Sequence, residues 1–129
     1  MAYVTLVAML ALVQFVYFGF AVGRARSRHD VAAPSVSGDE QFERFFRAHQ
    51  NTQEQLVVFV PAVFAAGYFA NALLAVGCGV VYLVARTWYF RAYIADPARR
   101  GPGMVLTLAA NAVLVIAAVV GSTRSILTP

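Results

Sequence analysis

An all-α integral membrane fold, a bundle of four transmembrane helices, is what this 129-residue sequence predicts. Three observations carry the prediction. First, 60% of the chain is hydrophobic against 12% charged, with a mean hydropathy of +0.68. A soluble domain this small has too high a surface-to-volume ratio to hide so much apolar side chain, so lipid is the simpler solvent. Second, the apolar residues are gathered into segments about as long as a ~30 Å hydrocarbon core requires. Third, the basic residues, all ten of them arginines, cluster at the ends of these segments. The net charge of +4 and pI near 9.7 could suggest nucleic acid. Arginines at span ends fit the positive-inside pattern instead, and no nucleic-acid partner is expected. The lone cysteine, Cys78, rules out a disulfide framework and a Cys-based metal site. His29 and His49 have no ligand partners at metal spacing, so no metal is expected either.

The elements follow in order. Tyr3 to Val22 is interrupted only by Thr5 and Gln14, and defines a first helix over about 3–23. No basic stretch precedes it and it exceeds a usual signal-peptide core, so it reads as a span. A second helix, about 40–69, starts at Asp39 or Glu40, acidic residues suited to a helix N-terminus. Only Leu56 to Ala70 of it is continuously apolar. A third, about 72–94, is apolar until Arg86, and a fourth, about 103–123, carries Asn111 near its middle. The link around Ala70 to Ala72 permits only a tight antiparallel hairpin, so the loops after the first and third helices share a face. Those loops hold Arg24, Arg26, Arg28, Arg99 and Arg100, which makes that face cytoplasmic and leaves Arg124 opposite. The whole chain, 1–129, reads as a single four-helix membrane domain. A composition rich in Ala, Val and Arg and free of lysine hints at a bacterial inner membrane.

The second and third helices are anomalous because each is polar at its cytoplasmic end. At 100° per residue, Arg44, Arg47, Asn51 and Glu54 fall within an arc of about 80°. Tyr82, Arg86, Tyr89 and Tyr93 fall within about 60°. In antiparallel neighbours both stripes lie at similar depth, and ionisable groups there are costly unless they face each other, water or a ligand. A polar pocket is expected. Arg44 and Glu43, nearest the interface, also read as solvated headgroup residues, and Trp88 as part of an aromatic belt. Asn111 reads as polar glue between helices, and Cys78, between Gly77 and Gly79, as close helix packing. An arginine offers a rigid fork for carboxylates, Asn a donor and an acceptor, and Glu a partner for an ammonium group. A small zwitterion with more than one carboxylate suits that inventory, and glutathione is one.

The stretch Phe42-Glu43-Arg44-Phe45-Phe46-Arg47-Ala48-His49-Gln50-Asn51-Thr52-Gln53-Glu54 resembles the signature of the MAPEG superfamily, membrane-associated proteins of eicosanoid and glutathione metabolism. The block from Tyr82 to Tyr93, with Arg86, Tyr89 and Phe90, is similar to the family's third helix. The likeness covers essentially the whole chain and is greatest to the microsomal glutathione S-transferase and leukotriene C4 synthase branch. Ser27 and Gln55 depart from the leukotriene synthase pattern, and the proline expected soon after Gln55 appears only at Pro61. These departures argue against a dedicated leukotriene synthase.

The resemblance implies a homotrimer with glutathione as co-substrate between neighbouring subunits at the cytoplasmic side. By position it implies glutathione contacts from Arg26, Arg47, Asn51, Glu54, Tyr89 and Tyr93, with Arg86 at the floor of the site. Arg100 matches the arginine that stabilises the thiolate. The expected activity is a membrane-bound glutathione transferase, adding the thiolate to a lipophilic electrophile that arrives from the membrane lipid. Reduction of lipid hydroperoxides by the same thiolate is equally compatible. The alternative is a non-catalytic lipid-binding or scaffold member, which would not need the set Arg47, Asn51, Glu54 and Arg100. A small multidrug-type exporter would carry a carboxylate deep in the first helix, and Tyr3 to Val22 has none.

Overall fold

The computed structural model describes residues 1–128. They form four long helices: α1 (Ala2–Arg28), α2 (Glu40–Phe69), α3 (Ala72–Ala95) and α4 (Gly101–Leu127). A 3₁₀ turn over Pro97–Arg100, which the sequence reading did not include, leads directly into α4. α1, α3 and the turn–α4 segment are long and apolar enough to cross a membrane. α2 spans 30 residues, but Glu43, Arg44, Arg47 and Glu54 make its first half polar. α1 and α4 overrun the predicted ends, because hydropathy marks lipid thickness whereas a helix stops only at a backbone signal. Arg24, Arg26 and Arg28 are good helix formers and carry α1 past its apolar run.

Side-chain caps set two of the starts. The Asp39 carboxylate accepts a 2.8 Å hydrogen bond from the Phe42 backbone N–H, and Asn71 Oδ1 accepts one of 3.0 Å from Leu74. Each satisfies a backbone donor that the first helical turn leaves without a partner. Ala70 and Asn71 are the whole α2–α3 link, which makes those helices an antiparallel hairpin. Asp39→Ala is expected to cost about 1 kcal/mol, seen as a lower thermal unfolding midpoint in detergent.

α2 and α3 each pack against the other three helices, with α1 and α4 flanking them. The main core joins Val4, Ala8 and Ala11 to Phe59, Val63, Ala66, Ala75, Tyr82 and Leu114. Small residues let the backbones close in, as in packed membrane helices. A Cβ on Gly79 would stand 2.0 Å from Val7 Cγ1, and one on Gly121 2.4 Å from the Phe69 carbonyl oxygen. The close approach thus belongs to Gly79, while half-buried Cys78 packs at the core's edge. Asn111 is polar glue as predicted: its Nδ2 donates to Gln55 Oε1 at 3.1 Å, tying α4 to α2. Large apolar side chains such as Tyr17, Phe20, Val84 and Ile116 face outward. Among the described residues no strand is present, so every long segment satisfies its backbone internally, as lipid demands.

Candidate active site

The polar first half of α2 turns one face towards the ends of α3 and α4. Arg47, Gln50, Asn51 and Glu54 line one side of an open cavity of about 320 Å³, and Tyr89, Tyr93, Arg100 and Met104 line the other. That volume lies at the lower end of the ~300–1,000 Å³ usual for small-molecule sites. Tyr89 and Tyr93, one helical turn apart, stand side by side with ring centroids 5.6 Å apart. Arg100 ends the 3₁₀ turn, where its Nη1 donates to the Pro97 carbonyl at 3.0 Å. Gly103 brings α4 onto α3, since a Cβ there would lie 2.7 Å from the Tyr89 backbone nitrogen. Larger grooves on the outer faces of α1 and α3 are mostly apolar and bring no comparable set of polar groups together.

The cavity rests on a buried cation. Arg86 has no exposed surface. Its Nη2 donates to Thr52 Oγ1 at 2.8 Å and to Asn51 Oδ1 at 3.1 Å, and the guanidinium lies 4.1 Å from the centroid of the Tyr89 ring. No carboxylate pairs with it, and its Nε and Nη1 have no hydrogen-bond partner among the described residues. A desolvated, unpaired charge costs several kcal/mol. Its positive potential acts on whatever occupies the space above, in surroundings that screen it poorly.

Most residues singled out in the sequence therefore meet: Arg47, Asn51, Glu54, Tyr89, Tyr93 and Arg100 on the cavity wall and Arg86 beneath it. Arg26, Arg44, Tyr82 and His49 do not line it. Arg26 donates through Nη1 to the carbonyls of Val31 and Ser35 and stacks 4.7 Å over the Phe42 ring, so it pins the α1–α2 loop and does not line this cavity. Arg44 pairs with Glu40 at 2.7 Å and donates to the carbonyls of Ile94 and Ala95, closing the C-terminus of α3. Tyr82 lies deeper in the core, stacked on Phe59 at 3.9 Å. His49 stacks on Phe15 at 4.3 Å, between α1 and α2. The sequence reading missed Gln50, Met104 and Thr52. Gln50 was findable, one turn from both Arg47 and Glu54. Met104 lies one turn beyond Arg100 and needed the unforeseen 3₁₀ turn.

Two guanidinium forks, a carboxylate, two amides and two phenols can hold a small zwitterionic peptide at several points. The MAPEG family model matches residues 4–120. The chain is 38% identical to microsomal glutathione S-transferase 2 of Bos taurus over 93% of its own length and 82% of that protein's. It is 36% identical to the Homo sapiens protein of the same name, over 94% and 82%. Leukotriene C4 synthase of Mus musculus is 40% identical over 67% of this chain and 62% of that one. A bacterial relative, an uncharacterized protein of Synechocystis, is 32% identical over 88% of this chain and 82% of its own. The chain belongs to the MAPEG family.

Proposed function

We propose that this protein is a membrane-bound glutathione S-transferase that adds the glutathione thiolate to a lipophilic electrophile. The observation that carries the reading is one cavity in which Arg47, Asn51 and Glu54 oppose Tyr89, Tyr93 and Arg100, in a chain related over most of its length to microsomal glutathione S-transferase 2. Arg47 takes a carboxylate of the peptide and Glu54 its ammonium group, while the two phenols wall the peptide in. Arg86 holds the floor positive. Arg100 stands beside the sulfur. A thiol with pKa near ~8.5 is mostly protonated at neutral pH, and a neighbouring fixed cation favours the nucleophilic thiolate. The thiol proton leaves to solvent through the open mouth of the cavity, and the sulfur lone pair forms the new bond to carbon while the electrophile's π bond or carbon–halogen bond breaks, its electron pair taking a proton from water or leaving with the halide. Holding both reactants together supplies the entropic share of the acceleration.

The same reading makes the whole chain one four-helix membrane domain in which α2 is the fourth span. Its polar face is then tolerated because it lines the ligand cavity rather than lipid. The active unit is a homotrimer, with glutathione between subunits and Arg26 reaching the site from the neighbouring copy. The site opens on the arginine-rich face, cytoplasmic in a bacterial inner membrane. The electrophile enters sideways from the lipid, and detoxification is the natural outcome of such a reaction.

Purified protein in detergent is expected to conjugate glutathione to a chromogenic aryl halide, with saturation in both substrates. Absence of turnover on several chemically different electrophiles would remove the transferase reading. Saturable glutathione binding alone, seen calorimetrically, would then favour a binding-only member.

A further inference from the structure

We propose that Thr52 is a positioning residue of the binding site: by holding Arg86 it fixes which end of the Asn51 side chain faces the ligand. This rests on the glutathione reading given above and extends it to the orientation of one recognising group. Thr52 is fully buried on α2. Its hydroxyl has a single proton, and that proton goes to the Ala48 carbonyl at 2.9 Å. Towards Arg86 Nη2, 2.8 Å away, Thr52 Oγ1 therefore acts as an acceptor. The second Nη2 proton points to Asn51 at 3.1 Å.

Arginine has donors and no acceptor, so the Asn51 atom it meets must be the carbonyl oxygen. The Asn51 NH₂ is consequently turned away from Arg86, towards the cavity, with Glu54 Oε2 3.5 Å from it. An asparagine free to flip would offer the ligand either a donor or an acceptor. This one offers donors only. Asn51 therefore recognises an acceptor on the ligand, a peptide carbonyl or a carboxylate oxygen of glutathione, and the ammonium group is left to Glu54. Adjacent on α2, Thr52 and Asn51 are 100° apart around the helix, so they take the two protons of one guanidinium nitrogen from either side. Without the Thr52 hydroxyl, Arg86 Nη2 loses the shorter of its two bonds at a fully buried position, and its hold on the amide loosens.

The test is calorimetric glutathione binding and thermal unfolding, in detergent, of the full chain and three variants. Asn51→Asp keeps an oxygen facing Arg86, now as a charge-assisted pair, and puts a second oxygen where the NH₂ was. Its glutathione Kd is expected to rise at least ~10-fold, the scale of losing a hydrogen bond and gaining repulsion. Thr52→Val is expected to raise Kd by roughly 3- to 10-fold, and Thr52→Ser, which restores the hydroxyl, to return it within about twofold. Wild-type binding matched by Asn51→Asp would overturn the assigned orientation. Thr52→Val binding like wild type would overturn the role of Thr52. If Thr52→Val does not fold, a Thr52→Ser variant that binds more than ~10-fold more weakly than wild type does the same. A wild-type protein that binds no glutathione would instead overturn the transferase reading, and with it the ligand named here.

Discussion

Arg100→Ala is expected to lower turnover of glutathione with a chromogenic electrophile by about 10²- to 10³-fold, the usual effect of deleting a group that stabilises charge in the reacting complex. Glutathione affinity should change far less, because Arg47, Glu54 and the tyrosines keep their places. Geometry makes the variant clean. The Arg100 side chain is exposed, and its one hydrogen bond within the protein goes to Pro97 in its own turn, so removing it leaves the start of α4 intact. Without the cation, the bound thiol becomes harder to ionise. The rate should recover as pH rises, with its profile displaced towards higher pH. Arg100→Lys retains the charge and should restore part of the turnover. An Arg100→Ala enzyme with wild-type kcat and an unmoved pH profile would assign thiolate stabilisation elsewhere, with Arg86 the obvious successor.

Gly103→Ala is expected to damage stability and binding together. A Cβ at Gly103 would sit 2.7, 2.8 and 2.9 Å from the N, Cα and Cβ of Tyr89. Two of those three atoms are backbone, so no side-chain rotation relieves the clash and α4 must move off α3. Such overpacking costs about 1–3 kcal/mol. The displaced end of α4 also carries Arg100 and Met104, while Tyr89 lines the same cavity, so glutathione affinity should fall with the unfolding midpoint. Gly77→Ala is the control. Nothing lies within 4 Å of a Cβ there, and alanine is the better helix former, so the midpoint should hold or rise slightly. Equal midpoints and affinities for the two variants would show that α4 is not seated through Gly103.

Periodicity made the centre of the site legible. Arg47, Asn51 and Glu54 recur at helical spacing, and so do Arg86, Tyr89 and Tyr93, and the short α2–α3 hairpin brings the two faces together at one depth. The same signal gives direction but not depth. Arg44 and Tyr82 share those faces, yet one closes the end of α3 and the other lies in the core. Arg26 stands apart for a different reason. Family position marks it as a contact, whereas within one chain its nearest acceptors are loop carbonyls five and nine residues onward. The role of Thr52 was not readable, because a threonine beside polar neighbours is ordinary until a buried guanidinium is found against its hydroxyl. The 3₁₀ turn escaped because Pro97 and the arginines after it read as a plain loop. It matters nonetheless, since it aims Arg100.

Cys78 sits on the half of α3 remote from the cavity, eleven residues and roughly 16 Å of helix from Tyr89. It is the only cysteine in the sequence, and there is no lysine. A protein that admits reactive electrophiles is thus built around a chamber whose walls carry no thiol and no amine of their own. The incoming peptide brings the one thiol of the chamber. Such a catalyst should survive many cycles beside alkylating compounds, and thiol reagents that label Cys78 should leave its turnover unchanged.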